Sequence, residues 1–544
     1  MAGQFEDARL DTSENRRTHF RMQEPASLRA WEARAAGLRR QILAASGLMA
    51  MPGRGAVRTI PAGRREFADF AVENVLLETW PGFFLAGNLW LPAARGRRPA
   101  VLLPHGHWKG GRLENSEECS TPALGAGLAR RGYVAFSYDM VGYGGTKQLP
   151  HEFGESEESL LWSWGPLGVQ LWNSLRVFDW LRSRGDVDGA RIGVTGASGG
   201  GTQTFLLSAV EPRIRASAPV NMVSYTMQGG CVCENPAGLR VGTNNVEIAA
   251  LMAPRPMLLV SATRDWTKNT MREEYPDIQR VYRLYRRENR VEAVQFDAPH
   301  NYNRQSREAV YGFLERHLKG ARSAARQIEA PLPFDSVEFL RPSKNAWPAA
   351  QISRDEFAKS WRRQAGGSRE HLMAVCGAEW PAVVEQRAGG DAVVLSRPGR
   401  GDTVRCRFTG TGDRAVLTIG DSAQPTDETS LRLEPFRSRN ESRPAGDRHF
   451  YTYHRSDDAL RVQDILTALR FLEMRGAKRV RIAAKNAAAA WALMAAALSP
   501  LRVEMDLSVF PAEPDDEWYV ENLMIPGVRR AGGINAARRL LARP

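Results

Sequence analysis

A serine framed by very small residues is the first place in this chain where chemistry can be done. Gly196-Ala197-Ser198-Gly199-Gly200 reads G-x-S-x-G, follows the apolar run RIGVTGA (191–197) and opens a segment of helical spacing. A serine hydroxyl is a weak nucleophile until a base takes its proton. A sharp strand-to-helix turn would lift that hydroxyl clear of the backbone, and glycine on either side lets strand and helix close on each other. The Gly199 N–H, at the start of the helix, would face a developing oxyanion. The base is expected at His300 in VQFDAPHNYN. Of the nine histidines it is the one that follows a predicted strand downstream of the serine and precedes the next helix. His317 falls inside that helix and reads as a surface residue. Asp265 in PMLLVSATRDW follows the preceding strand, and would fix the imidazole tautomer and stabilise the imidazolium. Asp297 competes for this role. It sits at the end of the same strand as the histidine, which makes its approach to the far ring nitrogen awkward, so Asp265 is favoured.

A second oxyanion donor is expected from LLPHGHWKGGR (102–112), with Gly106 as the permissive backbone position and the N–H of His107 or Trp108 as the donor. His105 and His107 have no third ligand in register, and Cys231 and Cys233 form a C-x-C with no histidine beside them. A metal site needs more than either pair, so no metal and no cofactor are expected. The five cysteines are odd in number and sparse, which is not a disulfide framework. They read as structural thiols, with one bridge from Cys119 to Cys231 or Cys233 left open. The long insert YTMQGGCVCENPAGLRVGTNNVE (225–247) should fold over the serine, where such loops set specificity. Trp108, Lys109, Arg112, Trp266 and Tyr302 are the expected substrate contacts, with Trp162 and Trp164 near the same loops. Aromatic faces suit sugar rings, and Lys109, Arg112 or Arg264 could pair with a substrate carboxylate. Core packing is the competing reading for several of the aromatics, and solvated surface for the charges.

These groups need a scaffold. After the antiparallel pair FAVENVLLETW (70–80) and FFLAGNLWLP (83–92), short apolar strands alternate with helices as far as residue 318. That alternation predicts an α/β fold: a mostly parallel sheet covered by helices on both faces. Residues 1–65 read as an N-terminal helical arm, 66–322 as the catalytic domain, 323–350 as a proline-rich linker and 351–544 as a second α/β domain. RIGVTGASGGGTQTFLLSAVEP (191–212) aligns without gaps to RVRIAAKNAAAAWALMAAALSP (479–500), and AVLTIGD (415–421) mirrors AVLLPHG (100–106). The second half therefore reads as a degenerate copy of the first. Asn486 stands where Ser198 stands, and alanines replace glycines that a tight elbow would need, so this copy should be catalytically inactive.

The chain carries a net charge of +13 over 544 residues. Its arginines are scattered, without the basic stripe or motif of a nucleic-acid binder. A solvated surface accounts for them; an acidic substrate such as a uronate polymer is the sharper reading. No stretch reaches the roughly 18 apolar residues of a membrane span. The first residues lack the apolar core of a signal peptide, which predicts a cytoplasmic protein, with export by another route left open.

With these residues assembled, the chain resembles the acetyl xylan esterase and dienelactone hydrolase-like branch of the α/β hydrolases. VENVLLETWPGFFLAGNLWLP, PHGHWKGGR, YDMVGYGGT, GASGGGTQT, MQGGCVCENPAGLR, SATRDWTKNT and FDAPHNYN carry the resemblance, over about residues 65–320. It implies an α/β-hydrolase fold and a serine carboxylic ester hydrolase that removes acetyl or methyl groups from carbohydrate through an acyl-enzyme. The partner would be a small ester or acylated carbohydrate. Two other classes stay open. A peptidase of the prolyl-oligopeptidase type would normally add propeller blades, and none are visible. A glycan-binding protein on a dead scaffold would fit the empty elbow of the second half.

Overall fold

The computed structural model describes residues 7–321, 327–389, 392–420, 429–437 and 448–542. The outermost ends of the arm and of the second half, the first residues of the linker and Asp421 of the strand expected at 415–421 lie outside the described residues.

Nine strands form the first sheet: Arg58–Glu66 (β1), Phe70–Trp80 (β2), Phe83–Pro92 (β3), Arg98–Pro104 (β4), Val134–Tyr138 (β5), Val187–Ala197 (β6), Ala216–Val220 (β7), Met257–Arg264 (β8) and Val291–Pro299 (β9). Their order is β1-β2-β3-β5-β4-β6-β7-β8-β9. β1, β2 and β3 run antiparallel, β3 meets β5 antiparallel, and every pairing from β5 to β9 is parallel. β5 and β7 are buried at every residue, and β4 at all but Arg98. Continuous apolar runs are what a strand covered on both faces requires. Along β4 the side chains alternate between two cores. Val101 and Leu103 join the helices Thr121–Arg130 and Arg304–Lys319; Ala100 and Leu102 join Pro166–Ser183.

The first strand lies inside the segment read as an arm. Its sequence, RTIPAGRRE, buries only Ala62. An edge strand rich in arginine has no apolar periodicity to betray it, so the sheet begins at Arg58 rather than near residue 66. The arm helix Leu28–Ala45 forms as expected. Ser27 Oγ caps it by accepting the Ala30 N–H at 3.2 Å, and Trp31, Ala35, Leu38 and Ile42 make its buried stripe. The arm also reaches the second half, where Arg9 pairs with the buried Asp464 at 2.5 Å.

The second half holds a seven-stranded sheet of Glu385–Gly389 (β10), Ala392–Ser396 (β11), Val404–Thr409 (β12), Arg414–Ile419 (β13), Thr429–Glu434 (β14), Arg479–Ala484 (β15) and Val503–Leu507 (β16), ordered β10-β11-β12-β14-β13-β15-β16. Three antiparallel pairings are followed by three parallel ones. That is the partner order and sense of β1, β2, β3, β5, β4, β6 and β7. β15 runs into the helix Ala487–Leu498 through Asn486 at φ +54°, ψ −137°; β6 runs into Gly199–Val210 through Ser198 at φ +57°, ψ −128°. The alanines do not prevent the sharp turn. Ala487 and Ala488 are half-buried. In the first half a methyl group on Gly200 would stand 2.2 Å from the Pro104 carbonyl.

The two halves meet on aromatic side chains. Trp164 and Trp361 lie 5.4 Å apart, with Trp80 and Phe357 beside them. The buried Arg530 stacks on Trp361 and donates to the Gly47 carbonyl at 2.8 Å. Trp162, expected near the site, instead donates to Asp516 of the second half at 3.0 Å. Among the described residues no helix is long and apolar enough to cross a membrane.

Candidate active site

Loops after parallel strands collect at the carboxyl edge of the sheet, and each expected reactive residue lies in one. Ser198 ends β6, Asp265 follows β8, His300 follows β9, and residues 105–112 follow β4. The positive φ of Ser198 is unusual for a residue with a side chain; it turns the serine out of the chain path at the head of the helix. Methyl groups on Gly196 and Gly200 would stand 2.3 and 2.2 Å from the Pro104 carbonyl. The loop after β4 thus closes directly over the turn.

His300 Nδ1 donates to Asp265 Oδ2 at 3.1 Å. The other carboxylate oxygen, Oδ1, accepts the Thr267 N–H at 2.6 Å and its hydroxyl at 2.5 Å. The Asp265 side chain is 2 % exposed and that of His300 25 %. With Nδ1 committed to a carboxylate, Nε2 is the basic nitrogen, and it is buried without a partner. The competitor Asp297 is 84 % exposed and faces Arg264 and Thr263 instead. Two indoles hold the imidazole. Trp108 stacks on it at 5.6 Å with planes 6° apart, and Trp266 lies 4.3 Å away with its Nε1 donating to the Asn221 carbonyl at 3.1 Å.

The expected oxyanion donors adjoin. The His107 ring sits over Gly199, where a methyl group would be 2.5 Å from Cε1. As the first residue of its helix, Gly199 has no intrahelical acceptor for its N–H. His105 is structural. Nδ1 bonds the Gly106 carbonyl at 2.7 Å and Nε2 accepts the Met140 N–H at 2.8 Å. Burial pulls its pKa down to about 3, so it stays neutral. Lys109 is exposed on the same loop.

Two expected substrate contacts are corrected. Arg112 is 1 % exposed and pairs with the buried Asp139 at 2.8 Å, so it joins the loops after β4 and β5 and does not face solvent. Tyr302 is 4 % exposed, and its hydroxyl bonds Thr195 Oγ1 at 2.6 Å beneath the serine strand. Tyr302→Phe is expected to leave KM within about twofold and to cost about 1 kcal/mol of stability for one buried hydrogen bond. Steady-state kinetics and urea unfolding check this, and a large KM increase would return Tyr302 to the substrate.

The insert brings together residues that the sequence kept apart. All five cysteines are free, and Cys119 is buried in the core packed by Tyr302, so it bridges to neither Cys231 nor Cys233. Two histidines do stand beside the C-x-C. His107 Nε2 is 3.2 Å from Cys233 Sγ, and His151 Nε2 is 3.2 Å from Cys231 Sγ. The thiols titrate as a pair. Cys231 is pulled down, chiefly by its hydrogen bond with Cys233 and then by those with the two imidazoles, whereas burial pushes Cys233 up. Next to them, the buried Glu234 accepts the Thr202 hydroxyl at 2.9 Å, which ties the insert to the helix that follows Ser198. The second half grips the far end of the insert: Gly238 and Arg240 donate to the Tyr451 and Thr452 carbonyls at 2.7 and 2.9 Å.

No protein-family model matches the chain. It is similar to the structure of methylesterase BT1017, at 30% identity and a TM-score of 0.51, over 62% of this chain and 75% of that one. It is 28% identical to "Putative hydrolase YtaP" of Bacillus subtilis (strain 168) over 232 residues, 38% of this chain and 74% of the relative. An acetyl xylan esterase from Paenibacillus sp. R4 superposes at a TM-score of 0.37 and 16% identity, over 56% of this chain and 98% of that one.

Proposed function

The chain belongs to the α/β-hydrolase family of carbohydrate esterases that includes methylesterase BT1017, and from that premise we propose that it is a serine carboxylic ester hydrolase acting on methyl esters of acidic sugars. The observation that carries the reading is the committed imidazole: Nδ1 bonded to Asp265, Nε2 buried and unpartnered, at the same sheet edge as the strained Ser198. Ser198 Oγ attacks the ester carbonyl while His300 Nε2 takes its proton. The N–H groups of Gly199 and of His107 or Trp108 receive the oxyanion. His300 then returns the proton to the departing methoxide, and methanol leaves the uronoyl group on Ser198. Water, deprotonated by His300, releases the acid and restores the serine.

Methyl esters are preferred to acetyl groups on two supports. One is the name of the methylesterase relative. The other is the exposed Lys109 beside Trp108, a cation suited to free carboxylates on neighbouring sugars. Trp108 and Trp266, which flank His300, are the aromatic faces left for a sugar ring. The second half is read as a degenerate, inactive copy of the first, supported by the matched pairing order and by Asn486 at the elbow. Its role here is to buttress the insert.

Methanol and acetate release from methyl-esterified and from acetylated uronate oligosaccharides distinguishes the two esters. The expected result is methanol release at the higher kcat/KM. Acetate release at the higher kcat/KM would overturn the methyl preference. No turnover of either, or of 4-nitrophenyl acetate, by folded protein would overturn the esterase reading.

A further inference from the structure

Four ligand-type side chains converge beside the nucleophile, and the esterase chemistry uses none of them. His107, His151, Cys231 and Cys233 place one imidazole nitrogen or thiol sulfur each within 4.8 Å of all the others. They come from three separate stretches: the loop after β4, the loop after β5 and the insert. We propose that these residues hold one zinc ion in a closed tetrahedral site, and that the ion clamps the insert onto the loop that covers Ser198.

The donor chemistry selects the metal. Two sulfurs and two imidazole nitrogens in so compact a set, all within 4.8 Å of one another, suit zinc. Zinc bonds of about 2.0–2.3 Å put tetrahedral ligand atoms roughly 3.3–3.8 Å apart. The two Nε2–Sγ separations of 3.2 Å already have that scale. The support around the ligands is also in place. His151 Nδ1 bonds the Val141 carbonyl at 2.7 Å, which fixes the tautomer that leaves Nε2 free to ligate. This is the outer partner that a metal-binding histidine normally has. Tyr143 packs edge-on against His151 at 5.0 Å and against His107 at 6.4 Å. Both cysteines are free, and each sulfur faces an imidazole nitrogen.

Four protein ligands leave no open position for water or substrate, so the ion is structural. Its place gives it leverage on the site even so. The His107 ring lies over Gly199, and Glu234, next to Cys233, bonds Thr202 of the nucleophile helix. Zinc would therefore set the position of the loop that offers the second oxyanion donor. The metal site itself does not rest on the esterase reading.

The test is the metal content of the full chain, purified under reducing conditions without chelator from zinc-supplemented medium. The expected result is one zinc per chain, falling to background in a Cys231→Ser, Cys233→Ser double variant and unchanged in Cys376→Ser. Wild-type protein stripped of zinc and given cobalt(II) should show thiolate-to-cobalt charge-transfer absorption and the intense visible bands of a tetrahedral site. This reading does not depend on the double variant folding. Wild-type protein without stoichiometric metal, whose reduced thiols also give no cobalt–thiolate absorption, would overturn the proposal. So would a Cys231–Cys233 disulfide in protein handled under reducing conditions.

Discussion

Asparagine at Asp265 lowers kcat by about 10⁴ with the fold intact. The reason lies in how both carboxylate oxygens are used. Oδ1 accepts two hydrogen bonds from Thr267, and Oδ2 accepts one from His300 Nδ1. An asparagine keeps its carbonyl oxygen towards Thr267 and turns its NH₂ towards the imidazole. Nδ1 must then become an acceptor, the ring proton moves to Nε2, and the nitrogen that should take the serine proton is already protonated. KM should change little, because Asp265 is buried behind the ring and away from substrate. Asp297→Asn, at the exposed competitor, should keep kcat within about twofold, as is usual for surface changes. Steady-state kinetics of the two variants decide between the carboxylates. A large loss in the Asp297 variant and none at Asp265 would reverse the assignment.

Arg112→Met destabilises the protein by about 3–5 kcal/mol, the usual cost of leaving one member of a buried ion pair alone. Burial pushes the Asp139 carboxyl up and pulls the Arg112 guanidinium down, so each ion depends on the other to stay charged. Arg112 also donates to Asn88 Oδ1 and to the Leu340 carbonyl; Asn88 Oδ1 loses its partner as well, whereas the Leu340 carbonyl keeps Asn88 Nδ2 at 2.8 Å. The Gly145 and Thr146 N–H groups remain on Asp139, which places the loss towards the lower end of the range. Arg112→Met with Asp139→Leu should recover part of it by removing the stranded charge. Urea unfolding of the three proteins measures the effect. A single variant within 1 kcal/mol of wild type would show that the pair contributes little.

That Ser198, Asp265 and His300 gather at one sheet edge was legible in the sequence for one physical reason. Each follows a fully or largely apolar strand, so strand end and candidate side chain coincide in the chain. The parallel sheet was legible for the same reason. What stayed hidden depends on distant partners. Whether Arg112 and Tyr302 face solvent is decided by Asp139 and Thr195, and nothing near them in sequence says so. β1 was hidden because an arginine-rich edge strand buries almost nothing. The Cys–His cluster escaped because His107 and Cys233 are 126 positions apart and His151 and Cys231 are 80 apart. One signal was available: the loops after β4, β5 and β7 must share the carboxyl edge of a parallel sheet, which brings their histidines and cysteines to one neighbourhood.

The central claim is that Ser198 is the nucleophile, and a fluorophosphonate tests it most directly. Labelled protein is digested and the modified peptide located by mass spectrometry, beside 4-nitrophenyl acetate turnover of wild type and Ser198→Ala. One label per chain is expected on the peptide carrying Ser198, with label and turnover both absent in the variant. A label on another residue, or undiminished turnover by folded Ser198→Ala, would contradict it.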